Sequence, residues 1–222
     1  MRFVLGGAVI ITKGHRGSQG GPEARGYACA VLSKIFRPII EPFTAAASTV
    51  LARARLTPDA LTAIGLLAVL GVAWLIAVDR TFLAGILLIP AVIIDVLDGA
   101  LARATGRVSA WGGYFDAVSD RIADGALLGA LAWSARETEP RLMGAAILAM
   151  VMQFLVPYAR AKAEALGFEA AGGPGERAER VVILIIGLIL GLEEMAVWAI
   201  VVLAAISFVS RTTSVRRQSV RG

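Results

Sequence analysis

The chain has 222 residues, 57% of them hydrophobic, with a mean hydropathy of +0.74. Soluble domains run nearer about 45–50% apolar, so the excess points to one integral membrane domain rather than a water-soluble one. The net charge is +5, but the basic residues cluster beside apolar runs, which fits anionic lipid and gives no reason to invoke nucleic acid. The single cysteine and single histidine exclude an internal disulfide, a cysteine-based zinc site, a histidine-rich metal site and a histidine-based triad within one chain.

Residues 1–27 are glycine-rich and aperiodic. Their one apolar run, MRFVLGGAVII, is too short to span and is followed by no convincing cleavage site, so a flexible or over-extended start is expected. Residues 28–55 mix apolar side chains with Lys34, Arg37, Arg53 and Arg55 and are interrupted at Pro38 and Pro42. That pattern predicts an amphipathic helix lying in the membrane interface. Residues 56–211 are expected to form one domain of six spans, at about 57–77, 81–104, 110–134, 141–165, 178–192 and 194–210. Most approach the roughly 20 residues that a bilayer requires, and the fifth is short. Thr57, Pro58 and Asp59 read as the N-cap and first turn of the first span. Residues 212–222 read as a basic tail. The fold expected is all-α: an integral membrane six-helix bundle with an N-terminal interfacial helix.

Arginine distribution sets the expected orientation. The amino-terminal segment, the 104–109 loop, the 160–180 region and the tail hold most of the cations, while the opposite loops hold Arg80, Arg136 and Arg141 diluted by acids. The cation-rich side is predicted to be cytoplasmic, and Trp74, Trp133 and Trp198 fall near the other face as an aromatic belt. Gly125/Gly129 and Gly187/Gly191 are small-xxx-small pairs that suit close packing, within the bundle or across a homodimer.

Four aspartates interrupt this apolar chain, at Asp95, Asp98, Asp116 and Asp120. On helices the first two share a face by i,i+3 and the second two by i,i+4. The short 104–109 connection predicts that the two helices are antiparallel neighbours. A charge at mid-bilayer depth costs roughly 2.5–3.5 kcal/mol, so four of them call for neutralising cations, and their hard oxygen donors suit magnesium. Two such ions would balance the four carboxylates and would suit displacement at a phosphate.

The stretch D-x2-D-G-x2-A-R-x8-G-x3-D-x3-D is filled by Asp95, Asp98, Gly99, Ala102, Arg103, Gly112, Asp116 and Asp120. It resembles the signature of the CDP-alcohol phosphotransferases. The resemblance implies metal ligation by Asp95, Asp98, Asp116 and Asp120, with two magnesium ions or manganese in their place. It further implies Asp120 as general base, and donor contacts from Asp59, Thr62, Gly99, Arg103 and Ser109. A second stretch, with Tyr158, Arg160, Ala163, Glu164, Glu176, Arg177, Glu179 and Arg180, is similar to the phosphatidylinositol-phosphate synthase branch. Lys162 stands where that branch often has arginine. Arg160, Arg177 and Arg180 are thereby implied in binding an acceptor phosphate, although Arg160 and Glu164 could equally form an i,i+4 pair.

The expected activity is therefore transfer of the phosphatidyl group of CDP-diacylglycerol to inositol 1-phosphate, releasing CMP, at the cytoplasmic face of the plasma membrane. The same chemistry with glycerol 3-phosphate as acceptor or an archaeal ether lipid as donor remains open. So do a magnesium-dependent transporter and a membrane phosphatase.

Overall fold

The computed structural model describes residues 57–169 and 175–221. The expected interfacial helix at 28–55 and the 1–27 segment lie outside the described residues. Six helices account for nearly all of what is described: α1 (Pro58–Ala77), α2 (Thr81–Ala104), α3 (Ala110–Ser134), α4 (Pro140–Ala165), α5 (Arg177–Leu190) and α6 (Glu193–Arg221). The predicted ends agree closely with these, save that α6 continues well beyond residue 210.

Local chemistry explains the boundaries. The Thr57 hydroxyl accepts the Ala60 N–H at 3.2 Å, and Pro58 opens α1, where its missing N–H costs nothing. Asp79 turns the chain out of α1 with a positive φ of 61°, a conformation that aspartate tolerates better than most residues. Its carboxylate accepts the Ser134 hydroxyl at 2.6 Å, which ties the ends of α1 and α3 together. Ser109 caps α3 by accepting the Gly112 N–H at 3.0 Å. Gly191 ends α5 in the left-handed region at φ 66°, as a C-terminal glycine does.

Four helices, α1, α2, α4 and α6, are long and apolar enough to cross a membrane. In α3 the length suffices, but the charged residues Asp116, Asp120, Arg121 and Asp124 interrupt it. The 14 residues of α5 reach only about 21 Å. Large apolar side chains such as Leu67, Trp74, Met195 and Val202 point outward, as a lipid-facing surface requires and an aqueous one would not. The protein is a multi-pass membrane protein. Trp74, Trp133 and Trp198 are all exposed, toward the end of the bundle opposite the acids.

The helices form a ring in the order α1, α3, α4, α6, α5, α2, each packed on its two neighbours. The expectation that α2 and α3 are packed neighbours is corrected here: α1 packs against both and lies between them. The five-residue connection 105–109 joins the ends of two helices without forcing their lengths together. Carboxylates on both facing sides favour a gap over direct contact.

Inside the ring the interfaces are alanine-rich, with Ala84, Ala145, Ala146, Ala149 and Ala204 at 0% exposure. Small side chains permit close approach, which replaces the hydrophobic driving force that lipid removes. A Cβ at Gly187 would lie 2.3 Å from the Cβ of Ala196, so this glycine is required by the α5–α6 approach. Gly125 serves the α3–α4 contact, where a Cβ would meet Phe154 at 3.3 Å. Gly187→Ala is therefore expected to destabilise the bundle by roughly 1–3 kcal/mol, read as a lower apparent Tm in detergent. Gly129→Ala, with nothing within 4 Å of its Cβ position, should leave Tm unchanged or raised. Equal Tm for the two variants would refute this account of the ring.

Candidate active site

The acids converge where the last turns of α2 meet the first turns of α1 and α3. Asp95, Asp98 and Asp116 each present a carboxylate oxygen, and these oxygens lie within 4.8 Å of one another. Asp98 is buried at 6% exposure. The Thr62 hydroxyl of α1 donates to its Oδ2, with the Pro58 carbonyl 3.1 Å from the same hydroxyl. Three carboxylates this close repel one another unless a cation sits among them. Their hard oxygens fit a divalent ion of the magnesium or manganese kind.

Asp120 lies one turn beyond Asp116 and outside that three-oxygen group. Its Oδ1 is 2.8 Å from Arg177 Nη1, a charge contact without hydrogen-bond alignment, and its Oδ2 is 3.4 Å from Arg121 Nη2. Arg177, from the first turn of α5, also donates through Nη1 to Asp95 Oδ2 at 2.9 Å and through Nε to Asp124 Oδ1 at 3.2 Å. One guanidinium thus spans α2 and α3, and its planar fork suits several carboxylates at once. A small cavity lies against this group, lined among others by Thr62, Asp95, Ser119, Asp120 and Arg177.

The residues expected to meet the donor surround the same place. A Cβ at Gly112 would lie 3.5 Å from Asp59 Oδ1 and 3.2 Å from Ser109 Oγ, so the first turns of α1 and α3 meet closely there. Thr62 reaches the cluster directly through Asp98. Arg103 folds back toward Gly99, whose Cβ position is 3.4 Å from its Nη1, and remains exposed. Ser109 has a local duty as the α3 cap.

Of the three cations expected at the acceptor, the structure brings Arg177 and Arg180 to this end of the ring. Arg180 is 4% exposed, and its Nε and Nη1 have no hydrogen-bond partner among the described residues. It lines a second small cavity with Asp124 and Gln153. Arg160 instead pairs with Glu164 at 2.8 Å on the exposed side of α4, the i,i+4 alternative. Asp124, Arg121 and Arg211 were not anticipated. Asp124 was discoverable, since Asp116, Asp120 and Asp124 recur every four residues and so share one face of α3. Arg211, half-buried on α6, donates to the Val156 carbonyl at 3.2 Å. No periodicity singles it out.

A carboxylate cluster with phosphate-suited arginines at one end of a helical membrane ring defines an enzyme of phosphoryl-group transfer to or from a lipid. Residues 55–209 match the CDP-alcohol phosphatidyltransferase family, and the chain belongs to that family and is a transferase. It is 33% identical to an archaetidylinositol phosphate synthase of Pyrococcus horikoshii over 195 residues, covering 85% of this chain and 98% of that relative. It is 34% identical to a phosphatidylinositol phosphate synthase of Mycolicibacterium smegmatis over 178 residues, 74% of this chain and 79% of the relative. Among solved structures it is similar to the Mycobacterium tuberculosis phosphatidylinositol phosphate synthase in complex with manganese and citrate. The TM-score is 0.72 at 30% identity, covering 78% of this chain and 88% of that one. The same protein with CDP-DAG bound gives a TM-score of 0.71 at 30% identity, covering 78% and 92%. The transporter alternative loses its footing, because the acids gather at one end and do not line a path across the ring.

Proposed function

We propose that the protein transfers the phosphatidyl group of CDP-diacylglycerol to inositol 1-phosphate, giving phosphatidylinositol phosphate and CMP. The observation that carries this reading is the meeting of Asp95, Asp98 and Asp116 with Arg177 and Arg180 at one end of the ring. Relatives bearing the two inositol phosphate synthase names support the acceptor.

In the reaction a hydroxyl oxygen of the inositol attacks the phosphorus of the phosphatidyl group. A P–O bond forms there, and the P–O bond to the bridging oxygen breaks. CMP leaves with that oxygen and its electron pair. Asp120 takes the hydroxyl proton. Asp95, Asp98, Asp116 and Asp120 would hold two divalent ions, magnesium or manganese in its place, which when bound supply charge neutralisation at the pyrophosphate oxygens and the leaving group. Asp59, Thr62, Gly99, Arg103 and Ser109 orient the donor, the absent side chain of Gly99 leaving room for the nucleotide. Arg177 and Arg180 meet the acceptor phosphate, and Arg160 joins them on release from Glu164. The site faces the cytoplasm across the plasma membrane, on the arginine-rich side, and the protein acts as a homodimer.

CMP release from labelled CDP-diacylglycerol over a panel of acceptors tests the assignment. Inositol 1-phosphate should be used, and free inositol and glycerol 3-phosphate should be poor. Preference for glycerol 3-phosphate would refute it. A second reading keeps the acceptor and exchanges the donor for a CDP-linked archaeal ether lipid. It is favoured by the match that covers 98% of the Pyrococcus relative, and a donor panel decides between them. Arg180 supplies the clean mutational test, because its Nε and Nη1 are unengaged, whereas Arg177 also touches Asp95 and Asp120. A charge-assisted hydrogen bond is worth roughly 1.5–3 kcal/mol. Arg180→Ala should therefore raise the acceptor KM about ten- to a hundredfold and leave the donor KM nearly unchanged. Unaltered acceptor kinetics would return Arg180 to a structural role.

A further inference from the structure

Asp124 is the acid that the assignments above leave unused. It is 3% exposed on α3, one turn beyond Asp120. A carboxylate buried so completely is costly unless a cation answers it. Its Oδ1 accepts the Nε–H of Arg177 at 3.2 Å. Its Oδ2 has no hydrogen-bond partner among the described residues, and Asp124 lines the cavity that Arg180 also lines. The competing contact, Arg121 Nη2, is long at 3.9 Å, and that guanidinium lies nearer Asp120. The principal partner of Asp124 is therefore Arg177.

We propose that Asp124 is a positioning residue that holds Arg177 by its Nε, so that Nη1 is presented between Asp95 and Asp120. The inference rests on the reading of Arg177 as an acceptor cation. Among the described residues, Arg177 is the side chain whose ion pairs join Asp95 of α2 to Asp120 and Asp124 of α3. Without the anchor at Nε, the guanidinium has two carboxylates left, Asp95 and Asp120. It would lean further onto them, compete with a cation for Asp95, and lose its set direction toward an incoming phosphate. Asp124 touches neither substrate on this account and acts through Arg177 alone.

A double-mutant cycle on the full-length protein in nanodiscs tests this, comparing wild type, Asp124→Asn, Arg177→Ala and the double variant. Mn2+ affinity is read by electron paramagnetic resonance titration. Acceptor and donor KM are read separately from CMP release. With Arg177 present, Asp124→Asn should weaken Mn2+ binding several-fold and raise the acceptor KM about tenfold, with the donor KM changed less than about twofold. With Arg177 absent, the same substitution should change each quantity by less than about twofold. Asp124→Glu should recover part of the acceptor KM. Losses of equal size in both backgrounds, or a lowered Tm with unmoved Mn2+ affinity and acceptor KM, would overturn the proposal in favour of simple charge compensation. The Mn2+ arm requires no acceptor. Its failure counts against Asp124, whereas failure of wild type to use inositol 1-phosphate counts against the acceptor assignment.

Discussion

Stripping divalent cations from the purified protein should abolish CMP release, and magnesium or manganese should restore it. Three carboxylate oxygens lie within 4.8 Å of one another, and among the described side chains the Thr62 hydroxyl and the Arg177 guanidinium hydrogen-bond to these acids. That is too little positive charge for Asp95, Asp98 and Asp116 to meet a pyrophosphate, whose own anionic oxygens would be repelled. A divalent ion at such a site contributes several kcal/mol of transition-state stabilisation. The expected loss is therefore about a thousandfold or more in rate. Binding should also raise stability, by about 2.7 kcal/mol when the ion is at a hundred times its Kd. This second readout needs no turnover: magnesium should raise Tm in wild type and fail to do so in Asp98→Ala. Full activity after exhaustive chelation, together with a Tm indifferent to magnesium, would dispose of the metal site.

The start of α1 was legible because it carries local chemistry: Thr57 and Pro58 act within a turn of their own backbone. Ser109 and Gly191 act just as locally, as the N-cap of α3 and the C-cap of α5, but the sequence pattern pointed to a donor contact for the first and a packing glycine for the second. The acid cluster was legible for a different reason, since carboxylates in an apolar chain are too costly to be incidental. Lateral arrangement was not legible. Periodicity places a residue on a face of its helix but does not name the helix opposite, so α1 between α2 and α3 could not be read. The partners of Arg177 were hidden in the same way. In sequence it belongs to a basic run opening α5, while in space Asp95, Asp120 and Asp124 from two other helices surround it. The glycine pairs divided too: Gly187 and Gly125 serve close packing, whereas Gly191 serves a helix end.

Asp120→Asn should separate chemistry from binding more sharply than any other substitution at the site. Asparagine keeps the size of the side chain and an oxygen that can face Arg177, but it cannot take a proton at neutral pH. Asp120 stands apart from the Asp95–Asp98–Asp116 oxygens, so the core of the cation site survives the change. Arg177 retains Asp95 and Asp124 as partners and stays in place. A general base contributes about 10²–10⁴ in rate. We therefore expect kcat to fall by about that factor, while donor Kd and Mn2+ affinity move only a few-fold. Asp98→Asn should show the reverse pattern. Asp98 is 6% exposed and belongs to the three-oxygen group, so its loss should weaken Mn2+ and donor binding together. Single-turnover CMP release with donor pre-bound, beside Mn2+ titration of both variants, resolves the two patterns. If Asp120→Asn turned over near the wild-type rate with donor bound, the proton would have to leave by another route, and the neighbouring acid Asp116 would be the next to test.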